Sequence, residues 1–241
     1  MEKNKTVIIT GASQGIGAAL ANGFHSRGYN VVATSRQVSQ SKEIAQSERL
    51  ALVDGDIVDP TTSVKVVDTA VKRFHSIDAL VNNAGIFFTK PFLDYTLDDY
   101  RRLSATNVEG FIHMTQQVVR QMLRQGAGGS IVSITTPYVH HPIAGLNISL
   151  AMATKGGIEA MSKNLAMEYA NEKIRVNTVA PGIVDTPLQK DNPVQFLRTL
   201  SPIDGISTAE EIVDAVVFLT EAPRVTGETL NIDGGAHLGR W

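Results

Sequence analysis

Between a β-branched run and an amphipathic helical pattern stands Thr10-Gly11-Ala12-Ser13-Gln14-Gly15-Ile16-Gly17. A strand that ends in such a turn and feeds a helix leaves the first helical amides without intrahelical partners, and the same helix end carries partial positive charge. That corner suits a pyrophosphate, with glycine wherever the chain turns sharply or a side chain would hold the phosphates away. Because the motif falls within the first twenty residues, in the order strand, turn, helix, it predicts a nucleotide-binding β-α-β start.

The rest of the chain repeats that alternation. Strands are expected at Lys5–Thr10, Asn30–Thr34, Leu50–Gly55, Ala79–Asn82, Ser130–Ile134, Arg175–Val179 and Thr229–Ile232. Several are almost wholly apolar, as strands covered by helices on both faces are. Helices are expected at Gly15–Arg27, Thr61–Phe74, Leu97–Gln125, Ser149–Glu172 and Ala209–Thr220. Thr208 with Glu211 three residues on has the pattern of a capping box, and Asp59-Pro60 opens another helix. The predicted fold class is α/β, a Rossmann-type doubly wound parallel sheet of about seven strands with helices on both faces, in a single domain over residues 1–241. The long irregular stretch Gly182–Ser207 holds Pro187, Pro193 and Pro202 among Leu188, Phe196, Leu197 and Leu200; a loop of that length with apolar residues reads as a substrate lid.

Bulk properties narrow the chemistry. With 22 basic against 24 acidic residues, a net charge of −2 spread along the chain, there is no footprint for nucleic acid or an anionic membrane. Zero cysteines remove disulfides, thiolate nucleophiles and thiolate metal sites, and six histidines occur without a ligand pattern, so no metal is expected. The polar start Met1-Glu2-Lys3-Asn4-Lys5 and the lack of a membrane-length apolar run predict a cytoplasmic protein acting on a small molecule.

Five further segments, in order and at similar spacing, resemble the short-chain dehydrogenase/reductase family: Asn82-Asn83-Ala84-Gly85, Asn107, Lys155, Pro181-Gly182 through Thr186, and Asp233-Gly234-Gly235. The resemblance covers essentially the whole chain. It implies that Gly11, Ser13, Gln14, Gly15, Ile16 and Gly17 hold a dinucleotide's pyrophosphate, that Asp56 and Ile57 form the adenine pocket, and that Asn83 and Gly85 pack beside the adenine ribose. It also implies that Ile183 and Thr186 face the nicotinamide end, and that Ala84, Pro181 and Gly182 belong to the cofactor-binding segments. The end of the second strand reads Thr34-Ser35-Arg36, with no carboxylate to meet a ribose 2′-hydroxyl; Arg36 and Ser35 suit a 2′-phosphate, which predicts NADP(H).

One position departs sharply. The family carries a catalytic tyrosine four residues before the lysine, on the same helix face, and here that residue is Ala151. Lys155 fits the family's ribose-binding lysine, Asn107 its water-ordering asparagine, and Thr136 takes the place of its carbonyl-polarising serine. A methyl group neither gives nor takes a proton, and a positioned acid or base contributes roughly 10²–10⁴-fold in rate. Three expectations follow. Tyr138, or else His140 or His141, supplies the missing group from the segment Pro137–Pro142. Alternatively, the substrate is an imine or activated alkene, which accepts hydride without a delivered proton. Or the chain is a cofactor-binding partner of a competent paralogue in a hetero-oligomer, since the two long helices are where this family forms dimers and tetramers. An NADP(H)-dependent oxidoreductase with an altered proton-transfer centre, acting on a small apolar carbonyl, imine or activated alkene, is the leading expectation, as a homo-oligomer; a non-redox isomerase or cyclase ranks last.

Overall fold

The computed structural model describes residues 4–190, 192–203 and 205–239. Seven parallel strands form one sheet: β1 (Thr6–Thr10), β2 (Asn30–Ser35), β3 (Leu50–Asp54), β4 (Ala79–Asn82), β5 (Gly129–Ile134), β6 (Ile174–Pro181) and β7 (Thr229–Ile232). Their order is β3-β2-β1-β4-β5-β6-β7. After β3 the winding reverses and β4 lands on the free side of β1, in register through Val7↔Ala79 and Ile9↔Val81. Connections diverge above that pair, which opens a crevice at the carboxyl ends of β1 and β4.

Helices cover both faces: α1 (Gly15–Ser26), α2 (Pro60–Phe74), α3 (Leu97–Leu103), α4 (Gly110–Gln125), α5 (Ser149–Glu168), α6 (Val194–Arg198) and α7 (Ala209–Glu221). Period-two alternation splits β1 between two cores. Val7 and Ile9 pack with Leu20 and Phe24 of α1 and Ile212 and Val216 of α7. Ile8 packs with Val66 and Phe74 of α2 and Met114 and Val118 of α4. Each face is apolar, so the strand reads as an unbroken hydrophobic run.

The capping signals hold. Thr208 and Glu211 form a reciprocal capping box on α7, and Asp59 accepts from Thr61 N with Pro60 in the first turn of α2. Two expected helices need correction. The span Leu97–Gln125 is broken by a π-helical segment, Ser104–Glu109, whose wider turns the sequence period does not announce. The last long helix ends at Glu168 rather than Glu172, because Tyr169–Lys173 turns back into β6 and Lys173 takes a φ of 60°.

The stretch after β6 is not wholly irregular. It holds a 3-10 turn at Pro187–Gln189 and the short α6, and its two ends are stitched by Asp185 N–H to Ser207 O (2.8 Å) and Ser207 N–H to Ile183 O (2.9 Å). The expected lid also includes Asp191 and Asp204, which lie outside the described residues, as do Met1-Glu2-Lys3. Among the described residues no helix is long and apolar enough to cross a membrane.

Candidate active site

β1 ends at Thr10, and Gly11 turns the chain with a φ of +65°, a conformation side chains disfavour. A Cβ on Gly11 would lie 2.7 Å from Ala84 Cα, and one on Gly17 would lie 2.1 Å from Gly11 O. Both glycines are therefore steric requirements of the turn. Asn83, expected beside the ribose, braces the turn: its side-chain amide donates to Thr10 O (3.0 Å) and Gly11 O (3.1 Å). Thr10 Oγ1 in turn accepts from the backbone amides of Asn83 and Ala84 at 3.0 Å each. The β4 end thus clamps the β1 turn.

Beyond the turn lies a cavity of about 580 Å³. Its wall includes Gly11, Ser13 and Gln14 on one side, Ser35, Arg36, Asp56 and Ile57 on the other, and Gly85, Ile86 and Thr106 at the far end. Arg36 is exposed, while Ser35 Oγ is buried with no protein partner. A buried hydroxyl without a partner is costly unless something outside the protein completes it. Asp56 keeps one carboxylate oxygen on Val58 N (3.0 Å), so part of its charge serves the turn. Asp54, level with Ser35 in the sheet, is bonded by the amide and hydroxyl of Ser39, which hold its carboxyl below the usual carboxylate range.

At the inner end the structure brings Lys155, Asn107 and Gly85 together. A Cβ on Gly85 would sit 3.2 Å from Asn107 Oδ1 and 3.4 Å from Lys155 Nζ. The π-helical segment carries Asn107, whose side chain accepts from Ile86 N–H (2.8 Å) and donates to Ile86 O (3.1 Å) and Thr154 Oγ1 (3.0 Å). Lys155 is partly covered as a residue, but its ammonium is enclosed and donates to Ile134 O at 2.7 Å. Desolvation there pushes its pKa down to about 8. Behind these groups a void of about 10 Å³, walled by Thr10, Asn82, Asn107 and Lys155 among apolar residues, has room for one water.

Ala151 is buried, one turn before Lys155. Thr136 stands partly buried just past β5. The three side chains expected as substitutes part company. Tyr138 is buried in the 3-10 turn Pro137–Val139, its hydroxyl without a partner; burial first and the charge of Asp233 second push its pKa up to about 12. His140 donates to Glu159 Oε1 (2.8 Å) on α5, and that buried carboxylate also takes Lys163 (2.7 Å) and Thr229 (3.2 Å). His141 is exposed and meets the ring of His237 edge-on at 5.8 Å.

That last contact belongs to a pair which reading the sequence missed. Asp233 accepts from His237 Nδ1 at 3.0 Å and from the amides of His237 and Gly235. The spacing of four between Asp233 and His237 is its one sequence signal, and it overlaps the Asp233-Gly234-Gly235 motif. Pro181 ends β6, and Gly182 N–H bonds Ile232 O (3.0 Å), with no room for a Cβ against Asp233. Ile183 is tied to Ser207, while Thr186 lies over the cradle, its methyl 3.4 Å from where a Cβ of Gly15 would be. Among the described residues no group of three or more His, Cys, Asp or Glu is arranged to hold a metal ion.

The tight glycine turn at the start of α1 and the Ser35 hydroxyl, unpartnered among the described residues, fit a dinucleotide. Comparisons with known proteins agree. A family model described as enoyl-(acyl carrier protein) reductase matches residues 11–237. The chain is 34% identical to an L-rhamnose 1-dehydrogenase (NAD(P)(+)) of Sphingomonas sp. (strain SKA58), over 98% of this chain and 97% of the relative. It is 32% identical to an NADP-dependent (R)-specific alcohol dehydrogenase of Lentilactobacillus kefiri, over 97% and 96%. Among solved structures, a 3-ketoacyl-(acyl-carrier-protein) reductase from Brucella melitensis complexed with NADH superposes with a TM-score of 0.91 at 28% identity, covering 98% of this chain and 99% of that one.

Proposed function

The chain belongs to the short-chain dehydrogenase/reductase family of oxidoreductases, and on that footing we propose that it is an NADP(H)-linked reductase with a displaced proton-transfer centre. Its substrate is a small apolar carbonyl, imine or activated alkene. One observation carries the cofactor choice: the 580 Å³ cavity is lined by Ser35, whose buried hydroxyl lacks a partner among the described residues, and by the exposed Arg36 that follows it in the chain. A 2′-phosphate satisfies both groups, and the one carboxylate level with Ser35 in the sheet is already engaged by Ser39. Relatives divide on this point, since one is named for NADP and another for both dinucleotides, and the local charge supports NADP(H).

When bound, a reduced nicotinamide supplies the hydride. Lys155 holds the nicotinamide ribose through its ammonium, Asn107 fixes the Ile86 backbone beside it, and Thr136 offers a hydroxyl to the substrate. Tyr138, protonated at neutral pH and without a protein partner, is the proton donor for substrates that need one. The segment 182–207 closes over the site as a lid, with Leu188 and Phe196 exposed on it. The whole is one domain and assembles as a homo-oligomer.

Fluorescence titration with each reduced dinucleotide tests the cofactor choice. NADPH should bind at least tenfold more tightly than NADH, and Arg36→Ala should erase the difference. Equal affinities in the unmodified protein, or tighter NADH, would reverse it.

A second reading is favoured by the burial of Ala151, which leaves no side-chain proton donor at that position and little access for solvent to stand in. In it the chain is the cofactor-binding member of a hetero-oligomer. Turnover that appears only on mixing with a competent paralogue would support it.

A further inference from the structure

The connection from β2 to β3 contains one 3-10 turn, Val38–Gln40; beyond it the chain runs along the outside of α1. Three anchors pin it there. Ser41 Oγ donates to Ser13 O (2.6 Å), Asn22 Nδ2 donates to Glu43 O (2.7 Å), and Asn22 Oδ1 accepts from Ala45 N–H (3.3 Å). Ile44 is buried in the core that α1 shares with α7. The backbone on both sides of residue 43 is therefore held, and the Glu43 carboxylate reaches the start of α1. Its Oε2 accepts from Gly15 N–H at 3.0 Å.

Gly15 is the first residue of α1, and the first intrahelical bond of that end is Ala18 N–H to Gln14 O. The amides of Gly15, Ile16 and Gly17 are the donors a helix leaves for an anion. One of the three is already taken, by a full negative charge supplied by the chain itself. On the opposite side Gly15 faces Thr186 and Pro187.

We propose that Glu43 is an internal competitor for the phosphate cradle, a residue that sets dinucleotide affinity by occupying the Gly15 amide until a pyrophosphate displaces it. The inference rests on the reading that this chain binds a dinucleotide, and adds a regulator of that same site. Two features make the contact reversible. Glu43 is exposed and bonded to the cradle through one hydrogen bond, and rotation of its side chain alone frees the amide while Asn22 and Ile44 keep the backbone in place. A carboxylate that stayed would face the entering pyrophosphate across a few ångströms, and like charges at that range repel appreciably even near water. Both dinucleotides carry the pyrophosphate, so the effect falls on NADPH and NADH alike and is separate from the choice made at Arg36.

The test uses the full-length protein, with Glu43→Gln and Glu43→Ala. Glutamine keeps an acceptor oxygen for Gly15 and removes only the charge. Alanine removes both and serves if glutamine impairs folding, which circular dichroism checks. Each protein is titrated with NADPH and with NADH by fluorescence, at low and high salt. The expected result is binding about three- to tenfold tighter than wild type for both dinucleotides, with a gain that shrinks as salt rises. A purely structural cap would not give that salt dependence. Folded variants that bind as wild type does, or more weakly, overturn the inference and leave the dinucleotide reading standing. Variants that bind where wild type does not support it in its strongest form. Failure of all three proteins to bind either dinucleotide overturns both the inference and the reading beneath it.

Discussion

Two side chains bear on the proposed proton and cofactor chemistry. Tyr138 presents a buried hydroxyl with no partner among the described residues, and its raised pKa keeps it a phenol well above the neutral range. Tyr138→Phe should lower kcat on a carbonyl substrate about 10- to 100-fold while leaving the NADPH dissociation constant unchanged; unaltered kcat removes the residue from the reaction. Lys155 poses the opposite problem, since its enclosed ammonium is disfavoured by burial. The folded-state pKa of about 8 lies below the ordinary 10.5, so the folded protein binds that proton more weakly than the unfolded chain does. The penalty is complete below pH 8 and disappears as pH rises through 10.5. Lys155→Met should therefore stabilise the cofactor-free protein by about 1–3 kcal/mol at pH 7, less the loss of its bond to Ile134, and by almost nothing above pH 10.5. Urea unfolding at the two pH values reads the difference, and an equal effect at both contradicts the burial account. The identities of both residues were plain in the sequence. Their protonation was not, because desolvation depends on neighbours that come from β5, the π-helical segment and the C-terminal turn.

At the level of elements, the π-helical segment is the feature that period counting passed over. It carries Asn107, whose side chain reaches both backbone groups of Ile86, 21 residues away, and the hydroxyl of Thr154, 47 residues away, so no local period announces it. Asn107→Ala deletes three hydrogen bonds and leaves the Ile86 amide and carbonyl unpaired in a partly buried place. A loss of about 2–3 kcal/mol in unfolding free energy is expected, together with weaker NADPH binding, as the Ile86 backbone is released. A variant as stable as wild type would mean that water replaces the amide fully. By contrast, the caps of α2 and α7 were legible because each is a contiguous pattern of four or five residues. Glu43 lies 28 residues from Gly15 in a stretch with no periodicity, and no local rule connects them.

Across the whole molecule, the winding order gathers the strand-end residues of the candidate site at one edge of the sheet, and Asn107 and Lys155 reach it from the π-helical segment and α5. Gly11 to Gly17 follow β1, Ser35 and Arg36 close β2, Asn83 to Gly85 follow β4, Thr136 and Tyr138 follow β5, and Gly182 to Thr186 follow β6. Leu97 and Tyr100 on α3, Leu123 on α4 and Met167 on α5 are exposed, an apolar presence on the long helices that suits contact between copies. Light scattering on the purified chain should give a dimer or tetramer; a monomer at micromolar concentration would leave those side chains unexplained. The sequence alone determined the sheet class, the strand positions, the glycine turn and the absence of the phenol at Ala151, because each depends on residues near one another along the chain. Tertiary structure alone decided that Asn83 clamps the turn, that the Tyr138 hydroxyl is buried without a partner among the described residues, that His140 is held by Glu159 and that Glu43 sits on the cradle. Those outcomes depend on which distant side chains reach the same point in space, and on how much water is excluded there, and neither quantity is written in local periodicity.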